Sequence, residues 1–210
     1  LEVLKYLREV EELWDSSNIC TILAARGHLE VLKWARETGC PWDESVCTNA
    51  AWGGPPDHGH LEVLKWLREN GCPWNEQTCV AAAQTGELEI LQWAREYGCP
   101  WNEQVCSQAA CYGHLEVLKW ARETGCPWDE TACAGAAKGG HLEVLKWLRE
   151  NGAPWDATAC SSAAGRGHLE VLKWLRQNGC PWDSSTCHAA KAGQKATFNW
   201  ARSNGCPWKS

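Results

Sequence analysis

Residues 59–74 read Gly-His-Leu-Glu-Val-Leu-Lys-Trp-Leu-Arg-Glu-Asn-Gly-Cys-Pro-Trp, and this stretch decides the fold. Leu61, Val63, Leu64, Trp66 and Leu67 recur at helical spacing and cover more than half the circumference, so the helix they form is packed on two sides. Gly71 supplies a left-handed C-cap for that helix, and Pro73 forbids its continuation.

The stretch repeats. Its histidine returns at His114, His141 and His168 with a step of 27 residues, and Glu87 fills the same slot in Gly-Glu-Leu-Glu-Ile-Leu-Gln-Trp. The helix tryptophans (Trp66, Trp93, Trp120, Trp147, Trp174) and those of the following Cys-Pro-Trp, hereafter CPW (Trp74, Trp101, Trp128, Trp155, Trp182), keep the same step. Between His28 and His60 the step is 32 residues, and the surplus, Gly53-Gly54-Pro55-Pro56-Asp57-His58-Gly59, predicts a loop. The first ten residues, Leu-Glu-Val-Leu-Lys-Tyr-Leu-Arg-Glu-Val, begin inside a unit, and the last unit, ending at Cys206-Pro207-Trp208, is one residue short. The expectation is a piece of a larger polypeptide, cut within the array and lacking polar caps.

Asp or Asn follows each CPW (Asp43, Asn75, Asn102, Asp129, Asp156, Asp183) where an N-cap oxygen would open a second helix, here called helix A, ahead of the Leu-Glu-Val helix, called helix B. Helix A is built of small residues such as Cys79, Ala82 and Ala83, which admit a close neighbour. One pair of helices cannot bury both surfaces alone, so the units must stack. The chain is expected to be all-α, a single repeat domain over residues 1–210 with about seven helix pairs plus partial units at both ends.

Composition narrows the function. The net charge of −6, from 26 acidic and 20 basic residues spread along the chain, offers no basic face for nucleic acid. No apolar run approaches the ~20 residues of a membrane span. The fourteen cysteines recur inside helical patterns, unlike those of small disulfide-stapled scaffolds, which points to free thiols in an intracellular, cytoplasmic setting.

Taken in order, a unit reads T-C-x-x-A-A-x-x-G-x-L-E-x-L-x-W-x-x-x-x-G-C-P-W from Thr78 onward, and this resembles the ankyrin repeat. The match lies in the Ala-Ala-x-x-Gly-His-Leu-Glu-Val turn and in the glycine closing helix B. The family unit is usually about 33 residues; here the protruding β-turn finger is missing, and Thr78-Cys79 stands in place of the family's Thr-Pro-Leu-His. The resemblance, to an abbreviated Trp- and Cys-rich variety, implies a right-handed α-solenoid that holds a protein partner as an interaction module or scaffold.

The alternative is a zinc-binding or thiol-linked structural array, because each typical unit offers a CPW cysteine, a helix A cysteine seven positions later and a turn histidine, as in Cys72, Cys79 and His60 or His114. Against it, no C-x-x-C or H-x-x-x-H pair occurs, Ala153 replaces one CPW cysteine and Glu87 one histidine. The helix A cysteines are expected to be small buried hydrophobes and the CPW cysteines to sit partly exposed at a helix end. The turn histidines are expected to satisfy neighbouring backbone, and the tryptophans to fill the core against Ala and Cys. No Ser-His-Asp or Cys-His-Asn set can be assembled from unrepeated residues, so neither an enzyme nor a cofactor is expected.

Selective binding needs positions that differ while the scaffold stays constant, and helix A supplies them. After the cysteine the series runs Thr48, Val80, Ser107, Ala134, Ser161, His188; one further along it runs Asn49, Ala81, Gln108, Gly135, Ser162, Ala189. Gln84, Tyr112, Lys138 and Arg166 vary in the turn that follows, and Trp52 with the Pro55-Pro56 loop adds a local irregularity. Thr48, Asn49, Trp52, Val80, Gln84, Ser107, Gln108, Tyr112, Lys138, Ser161, Arg166 and His188 are therefore the candidate contacts of a protein partner, on a monomer whose open ends leave end-to-end association available. The partner calls for neither nucleic acid nor membrane.

Overall fold

The computed structural model describes residues 18–53 and 60–208; the opening ten residues and the Pro55-Pro56 loop lie outside them. Fourteen α-helices and no strand occur among the described residues: α1 Asn18–Ala25, α2 Leu29–Glu37, α3 Glu44–Trp52, α4 His60–Glu69, α5 Glu76–Thr85, α6 Leu88–Glu96, α7 Glu103–Tyr112, α8 Leu115–Glu123, α9 Glu130–Gly139, α10 Leu142–Glu150, α11 Ala157–Arg166, α12 Leu169–Gln177, α13 Ser184–Ala192 and α14 Lys195–Ser203. Odd-numbered helices are helix A and even-numbered ones helix B.

Each element begins where its chemistry allows. Asp43, Asn75, Asn102, Asp129, Asp156 and Asp183 hold extended backbone, and each side chain accepts a hydrogen bond from the amide two residues on. At Asp156 that bond, from Thr158 N, is 2.9 Å. Replacing Asp156 with Ala should cost about 1 kcal/mol, the usual worth of such a cap, read as a lowered urea midpoint. At Asp183 the Ser185 hydroxyl, also bonded to the carboxylate, is the chief reason the carboxyl lies below its ordinary range.

Helix B ends on glycine with positive φ, +78° at Gly71, as the Cys-Pro-Trp that follows requires. Gly140, closing α9 at φ +78°, is constrained a second way: a Cβ there would come 2.7 Å from the His168 ring. That ring lies over the preceding turn with Nε2 3.1 Å from the Lys138 carbonyl. A carbonyl oxygen only accepts, so Nε2 carries the proton. The backbone-satisfying role expected of the turn histidines is met at this position.

The chain divides into two compact units, Leu1–Trp101 and Asn102–Ser210. Within the first, α3 packs between α1 and α5, and each helix B packs on its own helix A. Leu32, Leu64, Leu67 and Leu91 of the helix B layer are completely buried. Within the second, α9 lies between α7 and α11, α13 follows on α11, and Leu118, Leu145, Leu148, Leu172 and Leu175 form the corresponding buried row. Stacking of neighbouring pairs thus seals the two-sided helix B inside each unit.

Candidate functional site

Counting each helix A from its first residue, positions 2, 5 and 9 fall on one face by helical periodicity. In α7 to α13 the outward character follows that stripe: Gln104, Thr131, Thr158 and Ser185 at position 2 are exposed, Ser107, Ala134 and Ser161 at position 5 are half-buried, and Lys138 at position 9 is exposed. Tyr112 and Arg166, one residue further, stand at the rim, with Tyr112 49% exposed. In the first unit Trp52 is 55% exposed, while Thr48, Asn49 and Gln84 are half-buried, as is Gln108 in the second.

Several candidates are already engaged. The hydroxyls of Thr48, Ser107 and Ser161 donate to the carbonyls of Glu44, Gln104 and Thr158, and Asn49 Nδ2 donates to Ser45 O at 2.9 Å. Val80 does not belong to the outer face: it is 7% exposed, a buried apolar side chain where the other repeats carry Thr, Ser, Ala or His. His188 is exposed, with one face of its ring stacked on Trp208, 4.7 Å between centroids and 17° between planes. Trp52, Tyr112, Lys138 and Arg166 stand furthest out. Position 2 is part of the stripe although its residues were not among the sequence candidates; its place three residues before position 5 was the available signal.

The cysteines correct one expectation. The CPW thiols are not partly exposed: Cys40, Cys72, Cys99, Cys126 and Cys180 are completely buried and Cys206 is 6% exposed. Each CPW segment runs back beneath the start of its own helix A, where the Cys99 thiol donates to Asn75 O at 3.3 Å and the Cys180 thiol to Asp156 O at 3.3 Å. This brings the CPW sulfur against the helix A sulfur of the same repeat. Cys20 and Cys40 stand 2.8 Å apart, and the pairs Cys47–Cys72, Cys79–Cys99, Cys106–Cys126, Cys160–Cys180 and Cys187–Cys206 are hydrogen-bonded likewise. The sequence grouping of Cys72 with Cys79 is therefore replaced by Cys47 with Cys72 and Cys79 with Cys99. Among the described residues no three His, Cys, Asp or Glu side chains are grouped so that they could hold a metal ion.

The tryptophans also depart from core filling. Trp66, Trp93, Trp147 and Trp174 are half-buried, each meeting the CPW indole of the preceding repeat edge to face, at 5.8 Å for Trp42–Trp66 and 6.0 Å for Trp155–Trp174. Over the CPW ring lies the guanidinium of the helix B arginine, 4.1 Å from the centroid for Arg36 on Trp42 and 4.0 Å for Arg149 on Trp155. The same guanidinium donates to the CPW carbonyl, Arg36 to Cys40 O at 3.2 Å and Arg122 to Cys126 O at 3.2 Å. An indole between a cation and a second indole is better placed at the rim than in an apolar interior. Between rungs lie open clefts, one of about 420 Å³ lined by Lys146, Arg149, Glu150, Trp155, Trp174 and Asn178, repeated at Arg176, Trp182 and Trp200. The helix B surface beside them carries exposed ion pairs such as Lys146–Glu143 at 2.7 Å, each worth a few tenths of a kcal/mol.

Residues 133–176, running from helix A of one repeat through helix B of the next, match the family model described as ankyrin repeats in many copies. The crystal structure of the human ASB11 ankyrin repeat domain shares the fold, with a TM-score of 0.58 at 20% identity, covering 77% of this chain and 84% of that one. The described residues share the ankyrin repeat fold, and residues 133–176 match that family's model. No curated protein sequence matches the chain significantly. The repeats pass from CPW straight into the next N-cap, as at Trp155 and Asp156, so the connection carries no finger. Among the described residues no helix is long and apolar enough to cross a membrane. Ankyrin repeats generally serve as protein–protein interaction modules.

Proposed function

We propose that this chain is a protein-binding module or scaffold whose partner lies along the helix A stripe. The observation that carries this is a contrast between faces. The helix B face and its clefts repeat the same Glu, Lys, Arg and Trp from unit to unit, whereas the outward positions of helix A change: Tyr112, Lys138 and Arg166 succeed one another in the second unit. A surface that repeats one composition cannot favour one sequence of partner over another, while a varied surface on a constant scaffold can. The 27-residue period also crosses from Trp101 to Asn102 unchanged, so the module is taken to be residues 1–210 as one array, acting without catalysis.

The test is partner identification by proximity cross-linking from the stripe, followed by titration of the purified pair. Substituting Tyr112, Lys138 and Arg166 together by Ala should weaken binding by at least about tenfold, the loss of roughly 1.4 kcal/mol expected when even one is an anchoring contact. Substituting Glu116, Lys146 and Glu170 on the helix B face should change it less than about twofold. Equal affinity of the stripe variant and the unaltered chain would overturn the assignment.

A further inference from the structure

The paired thiols lie under the CPW connections and take no part in either surface just described. We propose that each helix A and CPW thiol pair is a modification site at which a peroxide closes a reversible disulfide within one repeat. The closeness of the sulfurs carries the inference, and their unequal acidity supports it. First, the Sγ atoms of Cys20 and Cys40 are 2.8 Å apart, against about 2.05 Å in a disulfide. A soft cation between two opposed thiolates, with bonds of about 2.3 Å each, would force the sulfurs to more than 4 Å in a packed interior. The pair is far closer to a bond than to a metal site.

Second, the two members of a pair are not chemically equivalent. With water excluded, one thiol donates to the other and the acceptor gains thiolate character. The hydrogen bond from Cys160 is the main reason the Cys180 thiol lies below its ordinary range, with the Arg176 guanidinium adding to it, and the same contact pushes Cys160 up. At the first pair Cys40 is brought down to about 7 by Cys20, again beside an arginine, Arg36. When the member with the lowered value gives up its proton, a thiolate stands beside a thiol, the arrangement that attacks an oxidant and is then resolved. The repeat containing Ala153 provides an internal control: without a partner, burial pushes the Cys133 thiol up to about 12, where it stays protonated.

The step balances as follows. The Cys180 thiolate attacks one peroxide oxygen, the O–O bond breaks, and the departing hydroxide takes a proton to become water, leaving a sulfenic acid. The Cys160 sulfur attacks the sulfenic sulfur, the S–O bond breaks, and hydroxide leaves with the Cys160 proton as a second water. Two thiols are oxidised and one hydrogen peroxide is reduced to two waters. Burial restricts the oxidant to a molecule this small, admitted when neighbouring repeats open locally.

The experiment exposes the purified chain to hydrogen peroxide, then denatures it, alkylates it and maps the peptides by mass. The expected result is a Cys160–Cys180 cross-linked peptide, a loss of about 2 Da per bond formed, and persistent alkylation of Cys111 and Cys133. The rate at Cys20–Cys40 should rise with pH around the Cys40 value of about 7. In Ala153→Cys, Cys133 should leave the alkylated set. Full alkylation of Cys160 and Cys180 after peroxide, or cross-links joining cysteines of different repeats, would overturn the proposal on the unaltered chain alone, whatever the variant does.

Discussion

Leu145→Ala is expected to lower the unfolding free energy by about 2–5 kcal/mol, the range for emptying a fully buried leucine site. Leu145 is completely buried in α10, between flanking layers that cannot easily close on a void. One end of α10 is tied down because Arg149 bonds to the Ala153 carbonyl and lies on the Trp155 ring, and Trp147 meets Trp128 at 6.0 Å. With that end held, little of the cavity can be recovered, which places the loss in the upper part of the range. By contrast, Lys146→Ala in the same helix removes an ion pair whose Glu143 side chain is 78% exposed, a change of a few tenths at most. Urea unfolding of the two variants separates them, and a loss below about 1 kcal/mol for Leu145→Ala would mean that the helix B layer is not sealed as described. Because stacked repeats share their stability with their neighbours, the defect should also lower the cooperativity of the second unit.

Leu145 was legible in the sequence because its period and flanking caps were. Asp156 before a helix and Gly71 after one are local statements, made by a side chain or a backbone angle within a few residues, and the structure places both where the spacing did. The tryptophans were not legible in the same way. Trp155 and Trp174 are apolar by scale, but their positions depend on Arg149, which caps one ring, and on a neighbouring repeat, which meets its edge. The constant six-residue step from arginine to CPW tryptophan, Arg36 to Trp42 and Arg68 to Trp74, was the signal available. The cysteines failed for a related reason. Nearness along the chain joined Cys72 to Cys79, whereas the return of the CPW segment beneath its own helix A joins Cys79 to Cys99, twenty residues away. Contacts within a turn can be read from spacing, and contacts made by the return of a repeat onto itself cannot.

The binding stripe shows the same division. Variation at Lys138 and Arg166 was visible, but so was variation at Val80, which the structure buries, and at Gly135, which it uses together with Gly139 for another purpose. Those glycines sit four residues apart on α9, facing α7. A Cβ on Gly135 would come 2.5 Å from the Ser107 carbonyl oxygen, and one on Gly139 would overlap the Cys111 carbonyl oxygen. Both obstacles are backbone, which cannot rotate aside as a side chain does. In a helix without such a neighbour, Gly→Ala gains about 0.5–1 kcal/mol through backbone entropy and helix propensity. Here overpacking should reverse the sign, and Gly139→Ala is expected to destabilise the second unit by about 3 kcal/mol, at the top of the usual overpacking range. Gly135→Ala should act in the same direction, and the double variant should cost less than the sum, since once α9 has been pushed off α7 the second methyl meets no further resistance. The check is denaturant unfolding of the three variants. A stabilised Gly139→Ala protein would show that α9 and α7 are not in backbone contact, and the two glycines would then rejoin the positions free to vary for a partner.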